Sequence, residues 1–137
     1  RMKRYTLDAS GLVRYFVDEL PSEAERAFQD AIAGEAVLIL PAIAASEAMY
    51  VANNREEIAG LEFAGTPNDV ITVIESSGPV DLDPVDLAMI REILHWQDEF
   101  PKQLHDAMIV ASHVVRETEA VITSDERIAE FVPTVWA

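Results

Sequence analysis

Four of the chain's 25 acidic residues stand against apolar sequence, and these four are the ones that could do chemistry. Asp8 closes the run Tyr5-Thr6-Leu7, and Asp125 closes Ala120-Val121-Ile122-Thr123-Ser124. Asp106 opens Ala107-Met108-Ile109-Val110-Ala111, and Glu47 is the only charge between Pro41 and Ala52. A carboxylate in apolar surroundings is costly unless it is paired, hydrogen-bonded or bound to a metal. If the four converge, each raises the pKa of the others, and the group calls for a counter-ion. Mg²⁺ or Mn²⁺, hard cations that prefer oxygen ligands, suit such a set. An ion held there polarises a phosphodiester and lowers the pKa of a bound water. No P-loop, dinucleotide fingerprint or Ser-His-Asp set competes with this reading.

The elements that must position these acids alternate along the chain. Lys3 to Leu7 reads as a strand and Ser10 to Glu19 as a helix ended by Pro21. Ser22 and Glu25 match a capping box, opening a helix that Gly34 stops. Ala36-Val37-Leu38-Ile39-Leu40 has the length and composition of a strand buried on both faces. Pro41 starts a helix to about Asn53, and Arg55 to Phe63 and Thr66 to Ser76 read as two more. Val80 to Leu82 is a brief third strand, and Asp83-Pro84 opens a helix to about Glu99. Asp106 to Thr118 reads as an apolar helix, Ala120 to Thr123 as a fourth strand, and Thr134 to Trp136 as a candidate fifth. The expected fold is α/β: a single domain with a parallel sheet of four to five strands flanked by helices. Leu12, Val13, Phe16, Met89, Ile90, Ile93, Ile109 and Val110 are the expected core, with Trp96 and Trp136 as packing residues.

Sites in such sheets form beyond the carboxyl ends of the strands. Asp8 and Asp125 sit at strand ends, and Asp106 at a helix start leading back to the same sheet. Glu47 lies about 9 Å along its helix from Pro41 at ~1.5 Å per residue, so it joins the others only if that helix leans over the sheet edge.

Composition narrows the partners. The net charge is −15, and setting the four acids aside leaves 21 acidic against 10 basic residues. A general basic face for nucleic acid is therefore excluded. Two lysines, Lys3 and Lys102, against eight arginines suit a salt-rich cytoplasm or simply an acidic mesophilic protein. The absence of cysteine rules out disulfides and thiolate metal sites and fits a cytosolic compartment. No segment is long enough to span a bilayer. No signal peptide is visible, and Arg1 before Met2 reads as a cloning scar.

The spacing resembles a known family. Leu7-Asp8-Ala9-Ser10, Ser46-Glu47, His105-Asp106-Ala107-Met108-Ile109-Val110-Ala111-Ser112-His113 and Thr123-Ser124-Asp125 resemble the motifs of PIN-domain ribonucleases, most closely the small VapC-type toxins of toxin–antitoxin modules. That resemblance implies one PIN-like nuclease domain over residues 2–137 and a cytoplasmic, Mg²⁺- or Mn²⁺-dependent endoribonuclease. Asp8, Glu47, Asp106 and Asp125 would be its catalytic and metal-holding residues, with Ser10 and Thr123 supporting them. It further implies an RNA substrate, an antitoxin partner and a homodimer. Arg14, near the site in sequence, is a candidate phosphate contact.

Blander readings stand beside these. Asp8, Asp106 and Asp125 could each cap a helix, and Glu47 could face solvent or pair with Arg55. The runs Glu56-Glu57 and Asp98-Glu99 read as solvated surface, and His105 and His113 as helix-surface or packing residues. A silent PIN-like module that binds RNA or protein, and a nuclease acting on DNA or structured ends, are the alternatives of function. His105-Asp106, with His95 and Asp125, also raises an HD-type phosphohydrolase, but that family is all-helical and the strands around Val37 and Val121 oppose it. A receiver-type signalling domain needs a late lysine, and none follows Lys102.

Overall fold

Short apolar runs separated by amphipathic stretches fold here into one parallel sheet wrapped by helices. The computed structural model describes residues 2–54, 57–58, 60–63, 65–76 and 78–137. In chain order the first elements are β1 (Lys3–Leu7), α1 (Ala9–Phe16), α2 (Ser22–Ile32), β2 (Ala36–Pro41) and α3 (Ala42–Asn54). A small hairpin, β3 (Glu57–Ile58) and β4 (Leu61–Glu62), precedes α4 (Pro67–Glu75) and β5 (Val80–Asp83). Then come α5 (Leu87–Trp96), α6 (Leu104–Val115), β6 (Ala120–Ile122), α7 (Glu126–Ala129) and β7 (Thr134–Val135). The main sheet has the order β5-β2-β1-β6-β7, and each neighbouring pair is parallel.

The central strand explains the architecture. Tyr5 lies opposite both Leu38 of β2 and Ala120 of β6, so β1 has a partner on each side. Leu7, Leu38, Leu40, Val121 and Ile122 are fully buried, as near-continuous apolar strands in a covered parallel sheet require. Leu12 of α1 and Ile109 and Val110 of α6 complete that core. Gly11 lets α1 lie close to the sheet: a methyl group there would stand 2.8 Å from Leu7 Cδ1 and 3.0 Å from Ile122 Cγ2. Among the described residues no helix is long and apolar enough to cross a membrane.

Several expectations are corrected. The described part of the segment read as a helix over Arg55 to Phe63 is the antiparallel hairpin, with Glu57 opposite Glu62. Gly60, at φ +79°, supplies the turn, and so short a polar stretch cannot offset the cost of helix nucleation. The capping box at Ser22 does not form; Pro21 is the cap residue and Ser22 the first helical one. Helix α5 starts at Leu87 instead of Pro84, because Asp83 ends β5 and the Asp86 carboxylate accepts the Met89 N–H at 3.0 Å. Ile90 is not core but 54% exposed, on the outer face of α5 beside Leu87 and Leu94. Trp96 packs edge-on to Phe131, as expected of a packing residue.

A part-buried ion pair ties β5 to the end of α6. Asp83 accepts Arg116 Nε at 2.9 Å and Ser112 Oγ at 3.1 Å, while Arg116 Nη2 reaches Asp86 at 3.0 Å. The Asp83 and Asp86 carboxylates hold the Arg116 pKa above its ordinary value. The Met89 N–H, and then Arg116, hold Asp86 below the usual carboxylate value.

Candidate active site

Asp8 leaves the end of β1 in extended conformation and caps α1, its Oδ1 accepting the Ala9 N–H at 2.8 Å. Its own N–H donates to the Ile122 carbonyl, which fixes it against β6. Its second oxygen, Oδ2, accepts the Thr123 hydroxyl at 2.7 Å. The same Thr123 Oγ1 accepts the Asp125 N–H at 3.0 Å, so one buried hydroxyl ties together the ends of β1 and β6. Ser10 Oγ accepts the Ser124 N–H at 3.3 Å and closes the junction from the other side. Asp125 caps α7 through the Arg127 and Ile128 N–H groups at 2.8 and 3.1 Å. The cap reading of Asp8 and Asp125 therefore holds alongside their position at the strand ends.

Asp106 is not a cap. Helix α6 begins at Leu104 with Gln103 as its cap residue, which leaves Asp106 in the first turn. It is only 7% exposed, and its pKa is pushed up from 3.8 to about 6. Burial is the main cause, followed by the charge of Asp125 and then that of Asp8, against an opposing effect of His105. Glu47, in the middle of α3, keeps about half its side chain exposed, and its Oε2 meets His105 Nδ1 at 2.8 Å. Its helix packs on α1 and α6, and Glu47 lines the same cleft as the other three acids. Arg55, the partner offered for Glu47 by sequence, lies outside the described residues.

His105 is the residue that sequence reading misplaced. It is not a surface or packing group: its Nε2 stands 3.0 Å from Asp8 Oδ1 while Nδ1 meets Glu47. Burial alone would lower its pKa, but the hydrogen bond and charge of Asp8, with Glu47 and Asp106, hold it above the ordinary histidine value. The available signal was its place directly before Asp106. Because α6 starts two residues earlier than expected, His105 lies on the helix and turns into the cleft. His113 does pack, against the Thr118 hydroxyl at 2.9 Å, and burial lowers its pKa.

These side chains surround a cleft of about 480 Å³. Asp8, Ser10, Glu47, Asp106 and Asp125 line it, together with Arg14, His105, Ser124 and an apolar wall from Val13 and Val51. Glu57 of the hairpin also lines it, although sequence gave it to the solvated surface. Glu56 lies outside the described residues, and Asp98 and Glu99 are exposed as expected. Arg14 also stacks over Trp136, its guanidinium carbon 5.3 Å from the ring centroid.

A hard divalent ion suits this donor set in kind, since carboxylate oxygens dominate it and Asp106 is buried beside the charges of Asp125 and Asp8. As placed, however, no group of three or more His, Asp and Glu side chains among the described residues has the spacing to hold an ion. His105 stands between two of the carboxylates instead.

Fold and cleft together define an α/β domain with an acidic pocket at the carboxyl edge of its parallel sheet. The PIN domain family model matches residues 5–132, and the chain belongs to that family. Its structure is similar to that of Mycobacterium tuberculosis VapC20, described as a sarcin–ricin loop cleaving toxin. The TM-score is 0.69 at 13% identity, over 97% of this chain and 99% of that one. A toxin–antitoxin complex from Klebsiella pneumoniae matches with TM-score 0.69 at 16% identity, over 96% and 95% of the two chains. VapBC2 from Rickettsia felis, bound to a DNA fragment from its promoter, matches with TM-score 0.68 at 9% identity, over 96% of each. At these identities the likeness is one of fold. No curated protein matches the chain in sequence.

Proposed function

We propose that this protein is a metal-dependent endoribonuclease that hydrolyses RNA phosphodiester bonds as the toxin of a type II toxin–antitoxin module. The observation that carries the reading is the meeting of Asp8, Glu47, Asp106 and Asp125 on one cleft, with Asp106 buried against its neighbours' charge. Membership of the PIN family supports nuclease chemistry. The toxins and toxin–antitoxin complexes that share the fold support the module and an antitoxin partner.

In this reading the four acids would hold Mg²⁺ or Mn²⁺, which when bound offsets charge at the scissile phosphate and activates a water. The chain's own residues do the positioning. Ala9 N–H and Thr123 Oγ1 fix the two oxygens of Asp8, and Thr123 and Ser10 hold the β6 end that carries Asp125. Arg14 lines the cleft wall, and it would have to turn from the Glu19 carbonyl and the Trp136 ring to meet a phosphate. A net charge of −15 repels RNA elsewhere, so recognition is confined to the cleft. The same acidity suits a basic antitoxin segment. Self-association would find an apolar face in Leu87, Ile90 and Leu94 of α5, which are 61%, 54% and 70% exposed. A cytoplasmic location follows from the substrate.

Calorimetric titration with Mn²⁺ and Mg²⁺, alongside cleavage of RNA and DNA, tests this on wild type and on Asp8→Asn/Asp106→Asn. Ion binding and RNA cleavage should both vanish in the double variant. Ion binding with no cleavage of either nucleic acid would instead support a silent binding module. Cleavage of DNA alone would move the substrate. No ion binding by wild type would leave the acids as caps and surface groups.

A further inference from the structure

Asp8 and Glu47 come from different elements, the end of β1 and the middle of α3, and His105 touches both. The imidazole Nε2 lies 3.0 Å from Asp8 Oδ1, and Nδ1 lies 2.8 Å from Glu47 Oε2. The ring is 27% exposed, so it sits within the cleft and fills the space the two carboxylates would otherwise share. Its backbone is well anchored, since Ala107 and Ile109 of the same helix are fully buried. The contact with Asp8 is the stronger one, because that carboxylate is buried while Glu47 is half in solvent. The other basic side chain on the cleft wall, Arg14, is turned toward the Glu19 carbonyl and the Trp136 ring. Both ring nitrogens already face carboxylate oxygens, so neither is free to act as a ligand as the ring now sits.

We propose that His105 is the internal occupant of the carboxylate cluster: it bridges Asp8 and Glu47 and must release at least one of them before both can ligate a divalent ion. It thereby sets the ion affinity of the cleft. Until then it keeps two otherwise unconnected acids within the span of one ring. This inference rests on the metal-site reading above and adds to it a competitor that the chain itself supplies. His105 is in this sense a positioning residue, and an ion and the imidazole are alternatives at the same oxygens.

The test is Mn²⁺ titration by calorimetry at one fixed pH on the full chain, comparing wild type, His105→Ala, His105→Gln and Asp106→Asn. If His105 competes, His105→Ala binds Mn²⁺ about tenfold more tightly, the size of one charge-assisted hydrogen bond no longer displaced. His105→Gln, which keeps one donor, falls between the two and serves if the alanine variant does not fold. The Tm of the ion-free alanine variant lies below that of wild type, while the ion-saturated values converge. Added Mg²⁺ moves the ring-nitrogen NMR signals of His105 and leaves those of His95 and His113 in place. Unchanged or weaker Mn²⁺ affinity in His105→Ala, with wild-type binding intact and lost in Asp106→Asn, overturns the inference alone. A wild type that takes up neither ion overturns the metal site and the inference together.

Discussion

Two groups of carboxylates stand at the same end of the sheet, and they are neutralised in opposite ways. Asp83 and Asp86 share Arg116, a permanent cation held by three hydrogen bonds to the two acids. Of the four cleft acids, Asp8 and Glu47 share a histidine, and buried Asp106, beside the charge of Asp125, is left with its pKa near 6. The first group is stapled: it ties β5 to α6 and leaves Asp83 fully satisfied. The second has a titratable histidine as its counter-group, the one proposed above to give way to an ion. A chain of eight arginines has no lack of fixed cations, so the difference is one of placement. A structural acid is paired once and for all, whereas under the proposed function the cleft acids have to stay open to an ion.

This contrast can be broken at several points. The largest expected effect is on catalysis: Asp106→Asn should lower RNA cleavage on the order of 10³-fold, read in a single-turnover assay. Arg116→Ala should leave cleavage chemistry intact but destabilise the fold by about 2–4 kcal/mol in urea unfolding, because a buried Asp83 loses its partner. The same Asp106→Asn change should stabilise the ion-free protein by roughly 1–3 kcal/mol at neutral pH, since it removes a carboxylate whose folded pKa is raised.

The sign of that effect sets its pH window. Asp106 binds its proton more tightly folded than unfolded, so its penalty is absent below about pH 4 and complete above about pH 6. His105 acts in the same direction, because stability from a raised histidine pKa is lost as pH climbs through the folded value. The ion-free Tm of wild type should therefore fall from pH 5 to 8, with Mg²⁺ restoring more of it at the higher pH. In Asp106→Asn the part of the fall below about pH 6 should disappear. The smallest effect is expected at Thr123→Val. Losing the hydroxyl between Asp8 and Asp125 should cost about 1–2 kcal/mol. It should also lower cleavage less than Asp106→Asn does.

Much of the fold was legible because its signals are local. The apolar runs at Lys3–Leu7, Ala36–Leu40 and Ala120–Ile122 became β1, β2 and β6, and even the brief Thr134–Val135 pairs in parallel. The failures occurred where a distant partner overrode a local signal. Asp83 looked like a helix cap but ends a strand, since Arg116, 33 residues away, claims its carboxylate. Ile90 has a core residue's chemistry yet faces outward, because α5 packs on α6 through Met89 and Ile93. The segment from Glu57 to Glu62 turns on Gly60, a single backbone conformation that helix periodicity does not report.

Residue types and spacing alone named Asp8, Glu47, Asp106 and Asp125, because a charge set in apolar sequence is visible without coordinates. They also supplied the parallel sheet that gathers three of these at its carboxyl edge. Distance and burial decided the rest. The packing of α3 on α1 and α6 brings Glu47 to the cleft, and the earlier start of α6 puts His105 between two acids. The burial of Asp106 beside Asp125 raises its pKa. Each of these depends on packing between elements far apart in the chain, and no local pattern encodes the energy of such a contact.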